Sequence, residues 1–167
     1  MNIDAWAMEN LNFTDYMKSK FVLFACILAL FATVVLAFGK TGPHPGEDPW
    51  TPAELMSPAD LARVLTDAHA KQPIVLCIGP GAVIKGSIDI GPARDSGNLA
   101  KLRQRLSELP KDAPVVIYCG CCPFVHCPNI RPAFALLKDM KFTQPKLLNL
   151  EHNVKVDWID KGFPVTP

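Results

Sequence analysis

A surplus of charge of either sign is what this sequence most plainly lacks. Lys and Arg number 17 against 16 Asp and Glu, a formal net charge of +1, with no basic block and no interleaving of aromatic with basic side chains. Nucleic acid, which selects a dense cationic face, is therefore not an expected partner. Charge is missing altogether from Phe21 to Phe38, an uninterrupted run of 18 residues. Apolar on every face and close to the chain terminus, that run argues against a buried core helix and reaches the lower limit for a membrane span. The cysteines lack a feature too. A zinc site usually draws two ligand pairs from separate turns, and here the candidate ligands share one short segment.

Lys18 and Lys20 precede the apolar run and Lys40 follows it. One reading is a single-pass anchor, with residues 1–20 as a cytoplasmic tail, 21–38 in the membrane and the remainder outside the cytoplasm, on the periplasmic side. The other starts at Met17, takes Lys18 and Lys20 as a basic n-region and Val35-Leu36-Ala37 as a small-residue cleavage site, and yields an exported protein. Cys26 sits too early in the run for a lipoprotein box and reads as an ordinary apolar residue. Residues 39–52 carry Pro43, Pro45, Pro49 and Pro52 with Gly42 and Gly46, the composition of a semi-rigid spacer. A single domain over 53–167 follows, its folded part beginning near Trp50. Export places the cysteines where thiols tend to oxidise, so a cluster of them has to be explained.

Within the domain, helical and extended patterns alternate. Ser57 and Pro58 open a helix with Leu61, Val64, Leu65 and Ala68 on one face, stopped by Pro73. Ile74 to Ile78 suits a buried strand, and Lys85 to Ala93 a short extended piece between glycines. Ser96 is placed to cap a helix carrying Leu99, Leu102, Leu106 and Leu109. Val115 to Tyr118 reads as a strand, Ile130 to Met140 as a helix, and Lys146 to Leu150 as a strand. A last short helix spans Val154 to Lys161, with Trp158 and Ile159 as core contacts. The order implies an α/β domain with a central, mostly parallel sheet and helices on both faces, its sites at the carboxyl ends of strands.

One such end carries Cys119, the first of four cysteines and a histidine within nine positions: Cys119, Cys121, Cys122, His126 and Cys127. A strand feeding a thiol-rich loop and then a helix aims backbone N–H groups and a positive helix end at the loop, which stabilises thiolates. Three chemistries fit. One cysteine is a nucleophile with a lowered pKa, and Arg131 holds an anionic substrate. Alternatively, Cys119 and Cys122, with two residues between them, exchange electrons as a redox pair. In the third, the thiols and His126 bind a thiophilic metal. A disulfide that merely braces the loop is the plainest option.

From about Trp50 to Pro167 the chain resembles the rhodanese family of sulfurtransferases. The strand Val-Val-Ile-Tyr-Cys, ending at Cys119, resembles the family's strand that delivers its catalytic cysteine. Lys85 to Ala93 resembles the Gly-His-Ile-Pro-Gly-Ala stretch, with Ser87 in place of the histidine. Ile130 to Met140 resembles the helix after the active loop, with Arg131 at its start, and Val156 to Val165 resembles the closing Trp…Gly-Phe-Pro-Val. The resemblance implies a rhodanese-like fold and a cysteine persulfide that carries sulfane sulfur from a small donor such as thiosulfate to a thiophilic acceptor, a protein thiol included, with no cofactor. Cys119 and Arg131 are then the catalytic candidates, Cys127 and Cys122 second or alternative thiols, and His126 a candidate proton donor. Two departures stand out. Cys77, Ile78 and Gly79 occupy the strand end where the family usually has an aspartate and an arginine. Eleven residues separate Cys119 from Arg131, more than the family's loop holds. Strand position favours Cys119 as the nucleophile, whereas proximity to Arg131 favours Cys127. The alternative function is a thiol redox or thiophilic-metal module on the same scaffold.

Overall fold

A computed structural model describes residues 48–167. The Phe21 to Phe38 run, and most of the proline-rich spacer, lie outside them. Among the described residues no helix is long and apolar enough to cross a membrane.

Five strands form one parallel sheet: β1 (Leu55–Met56), β2 (Ile74–Cys77), β3 (Ile88–Asp89), β4 (Val115–Tyr118) and β5 (Pro145–Leu148), in the order β1-β5-β4-β2-β3. Three helices accompany them: α1 (Pro58–Thr66), α2 (Ser96–Ser107) and α3 (Ile130–Asp139). The chain crosses the sheet one way from β1 through β2 to β3 and returns the other way through β4 to β5. Crossovers of one hand must then place their helices on opposite faces. Accordingly Leu61 and Ala62 of α1 pack with Val75, Cys77, Val116, Tyr118 and Leu148 on one face. On the other, Leu102 and Leu106 of α2 and Ile130, Phe134 and Leu137 of α3 pack with Leu76, Val115, Ile117 and Leu147. Alternate residues of each inner strand thus serve two cores, which is why β2 and β4 are apolar without interruption.

The elements agree with the sequence pattern in kind and differ at their ends. α1 stops at Thr66, well before Pro73, because the Asp67 backbone leaves the helical region at ψ 111°. Asp95, not Ser96, is the cap residue of α2, with Ser96 already inside the helix. The two-residue edge strand β1 carries too short a pattern to be read from sequence. Near the C-terminus, Lys155–Ile159 forms one wide π-helical turn that buries Trp158 and leaves Ile159 43% exposed, so Ile159 is not a core contact. Trp50, inside the spacer by composition, is buried with its ring 5.9 Å from that of Phe134 and 6.1 Å from that of Phe124.

From β2 the chain moves outward to β3, and from β4 outward to β5, so the direction reverses between β2 and β4. In an open parallel sheet, that reversal leaves a crevice beyond the carboxyl ends of the two strands. Cys77 pairs with Tyr118 in register, and the Ile78 amide donates to the Tyr118 carbonyl at 2.9 Å. Gly79 and Cys119 therefore emerge side by side into the crevice.

Candidate active site

Strand alternation sends Tyr118 and Cys119 to opposite faces. On the α1 side the Tyr118 hydroxyl accepts the Val83 amide at 3.0 Å and the Ile84 amide at 3.3 Å, and meets Ser87 Oγ at 3.1 Å. Ser87 is thereby engaged in holding the 83–87 turn. On the α3 side Cys119 is 1% exposed. Its sulfur lies against Gly79, where an added Cβ would come within 2.4 Å of Sγ. Only a residue with no side chain lets the thiol occupy that place.

Asn129, 4% exposed, is the other wall. Its Oδ1 accepts the Arg94 amide at 3.1 Å, which fixes the orientation of the side-chain amide and turns Nδ2 toward Cys119 Sγ at 3.4 Å. Cys121 Sγ also lies 3.4 Å from Cys119 Sγ, and Cys122 Sγ 3.2 Å from that of Cys121. The sulfurs of Cys119, Cys121 and Cys127 all fall within 4.8 Å of one another. All five cysteines among the described residues are free thiols. Cys119 and Cys127 are buried, Cys122 is half-buried and Cys121 is exposed.

Hydrogen bonds decide which sulfur carries the negative charge. The Cys119 thiol is lowered from 9.0 to about 5, chiefly by a hydrogen bond from Cys127, against the opposing effect of burial, with the Cys121 backbone N–H, Asn129 and the Cys121 thiol adding to it. Cys127 is pushed up by donating to Cys119 and by burial. Burial and the bonds to Cys122 and Cys119 raise Cys121 to about 12. Cys77, facing the other core, is raised mainly by burial. Donors converging on one sulfur stabilise its thiolate, so the surroundings favour the anion at Cys119 and the proton at Cys127.

The remaining candidates sit outside this group. The Arg131 guanidinium is engaged by other groups: it donates to Asp48 Oδ1 at 2.6 Å and to the Val125 carbonyl at 3.1 Å, and lies 5.4 Å from the centre of the Trp50 ring. His126 is exposed in the turn Phe124–His126, and its ring makes no hydrogen bond among the described residues. The structure thus brings Cys127 to Cys119, leaves Cys122 one sulfur further out, and draws in Gly79, Cys121 and Asn129. Asn129 reads from sequence only as the residue before a helix, and Gly79 only as part of a turn. The one local signal was the i, i+2 spacing of Cys119 and Cys121, which puts both thiols on the same side of an extended chain. Three thiols this close could also hold a soft metal ion. Comparison with protein-family models and with curated proteins gives no match.

Proposed function

We propose that the chain is a rhodanese-type sulfurtransferase, a rhodanese-like domain carried outside the cytoplasm on the 21–38 segment or exported after its cleavage. The observation that carries this reading is the place of Cys119, buried at the carboxyl end of β4 with its sulfur 3.4 Å from Asn129 Nδ2 and 3.4 Å from Cys121 Sγ and clustered with that of Cys127, surroundings that lower its thiol and favour the thiolate. Cys119 Sγ attacks the outer sulfur of a donor such as thiosulfate. The new S–S bond forms as the donor's own S–S bond breaks, and sulfite leaves with the electron pair. The resulting persulfide keeps one negative charge, and the donors that stabilised the thiolate stabilise it as well. An acceptor thiol or cyanide then takes the terminal sulfur and restores the thiolate. No cofactor takes part.

Intact-mass measurement after thiosulfate treatment tests the assignment. The expected result is a one-sulfur adduct on the parent protein that is lost in Cys119→Ser; an undiminished adduct in that variant overturns it. A second reading, a soft-metal or thiol redox module, is favoured by the approach of Cys119, Cys121 and Cys127 within 4.8 Å. Stoichiometric metal in protein purified under reducing conditions, lost together with these thiols, would select the metal form. A loss of two thiols on mild oxidation, regained with reductant, would select the redox form.

A further inference from the structure

The reading of Cys119 as a persulfide carrier leaves a difficulty of access. At 1% exposure, its sulfur lies beneath the surface, between Gly79, Asn129 and Cys121. A small anion or cyanide needs only a narrow opening. A thiol carried on a folded protein must bring its own backbone with it, and cannot approach a buried disulfide bond end-on.

We propose that Cys121 is the outward port of this site: the sulfane sulfur held on Cys119 passes to Cys121, and an acceptor protein's thiol collects it there. The inference rests on the sulfurtransferase reading above. Of the two thiols that share the cluster with Cys119, Cys127 is fully buried and is no more open to a protein-borne thiol than Cys119 itself. Cys121 is exposed, with its Sγ in contact with Cys119 Sγ at 3.4 Å. Cys122, half-buried, lies 3.2 Å from Cys121 Sγ and also beside Cys127, one sulfur removed from Cys119 by either route. Gly120, between the two, is held in place: its carbonyl accepts the Val154 amide at 3.0 Å, and Val154 fills the space a side chain there would need. The backbone between donor and acceptor sulfurs is thus anchored, and a rotation of the Cys121 side chain about χ1 aims its sulfur at the terminal atom of the persulfide.

The transfer needs no oxidant. Cys121 Sγ bonds to the terminal sulfur of Cys119–S–S⁻ while the Cys119 Sγ–S bond breaks, and its electron pair stays on Cys119 as the thiolate. The Cys121 proton moves to the transferred sulfur, giving Cys121–S–SH with the total charge unchanged. Cys119 is the better leaving group of the two because the site is built to hold it as an anion.

The test loads the parent protein and Cys121→Ser with thiosulfate and discharges each with cyanide and with a folded protein bearing a single surface thiol. The relay requires that, once loaded to whatever extent, Cys121→Ser show a ratio of protein-thiol to cyanide discharge at least tenfold below that of the parent, each rate taken per adduct formed. Undiminished transfer to the protein thiol overturns the relay, as does an equal loss towards both acceptors. Absence of any adduct on the parent protein overturns the sulfurtransferase reading and the relay with it.

Discussion

Asn129 stands where a helix cap is expected, yet its side chain makes no capping bond to α3. Its carbonyl end is taken by the Arg94 amide, and its amide end is turned to Cys119. Asn129→Asp keeps the shape and the acceptor but replaces the donor with a negative charge beside the thiolate. The Cys119 titration, followed through thiolate ultraviolet absorbance against pH, should move upward by about 1 unit or more. An unmoved midpoint would place the anion on another sulfur. Gly79→Ala tests the opposite wall. A methyl group 2.4 Å from Cys119 Sγ forces the strand end or the thiol to shift. Denaturant unfolding should show a loss of about 1–3 kcal/mol, the usual cost of overpacking a core, and the low-pH thiolate signal should disappear. Cys119 was legible in the sequence because a β-branched and aromatic run stops at it. Gly79 and Asn129 were not, since each acts across a contact that only the strand register and the α3 approach create.

At the level of elements, the segment between β4 and α3 is held at several places. Its start is tied by Gly120 to Val154, and its middle by the Phe124 amide to the Leu150 carbonyl at 3.0 Å. Its end is clasped by Arg131, which joins the Val125 carbonyl to Asp48 and lies over Trp50. In the sequence Arg131 reads as a cation at the start of a helix, placed to hold an anionic substrate; in the structure its guanidinium is engaged by Asp48, the Val125 carbonyl and Trp50. The partners that occupy it, Asp48 and Trp50, lie in a stretch whose prolines suggest a spacer, and nothing in local pattern predicts that such a stretch folds back. Arg131→Ala should lower stability by about 1 kcal/mol, the sum expected of one half-exposed ion pair and one cation–π contact, while thiosulfate loading of Cys119 stays within a few-fold. Thermal unfolding and loading rates measured together separate the roles: a collapse of loading at unchanged stability would mean that Arg131 meets the donor. The helices were easier to read than their ends. α3 follows its apolar spacing closely, whereas the π-helical turn at Lys155–Ile159 shifts the register enough to expose Ile159.

Across the whole molecule, the alternation of extended and helical patterns sufficed for a parallel α/β sheet, and the reversal between β2 and β4 then determines where the crevice opens. The same placement links the site to folding stability. Cys119 has its thiol lowered from 9.0 to about 5 in the folded chain, so folding favours the thiolate. Its contribution is fully present above the unfolded value and is lost as pH falls through the folded one. Between those limits the unfolded chain holds one more proton, and stability should climb with pH by up to about 1.4 kcal/mol per unit. Cys121 acts in the opposite sense. Raised to about 12, it disfavours folding once pH passes 9.0, and Cys127 adds to that penalty. Unfolding free energy measured under reducing conditions should therefore rise from about pH 5, level off near pH 9 and then decline. Cys119→Ser, which has no thiolate to stabilise, should lose the rising limb while remaining folded. If the limb persists in Cys119→Ser, the stabilising anion lies elsewhere in the molecule, and the assignment of the thiolate to the end of β4 fails with it.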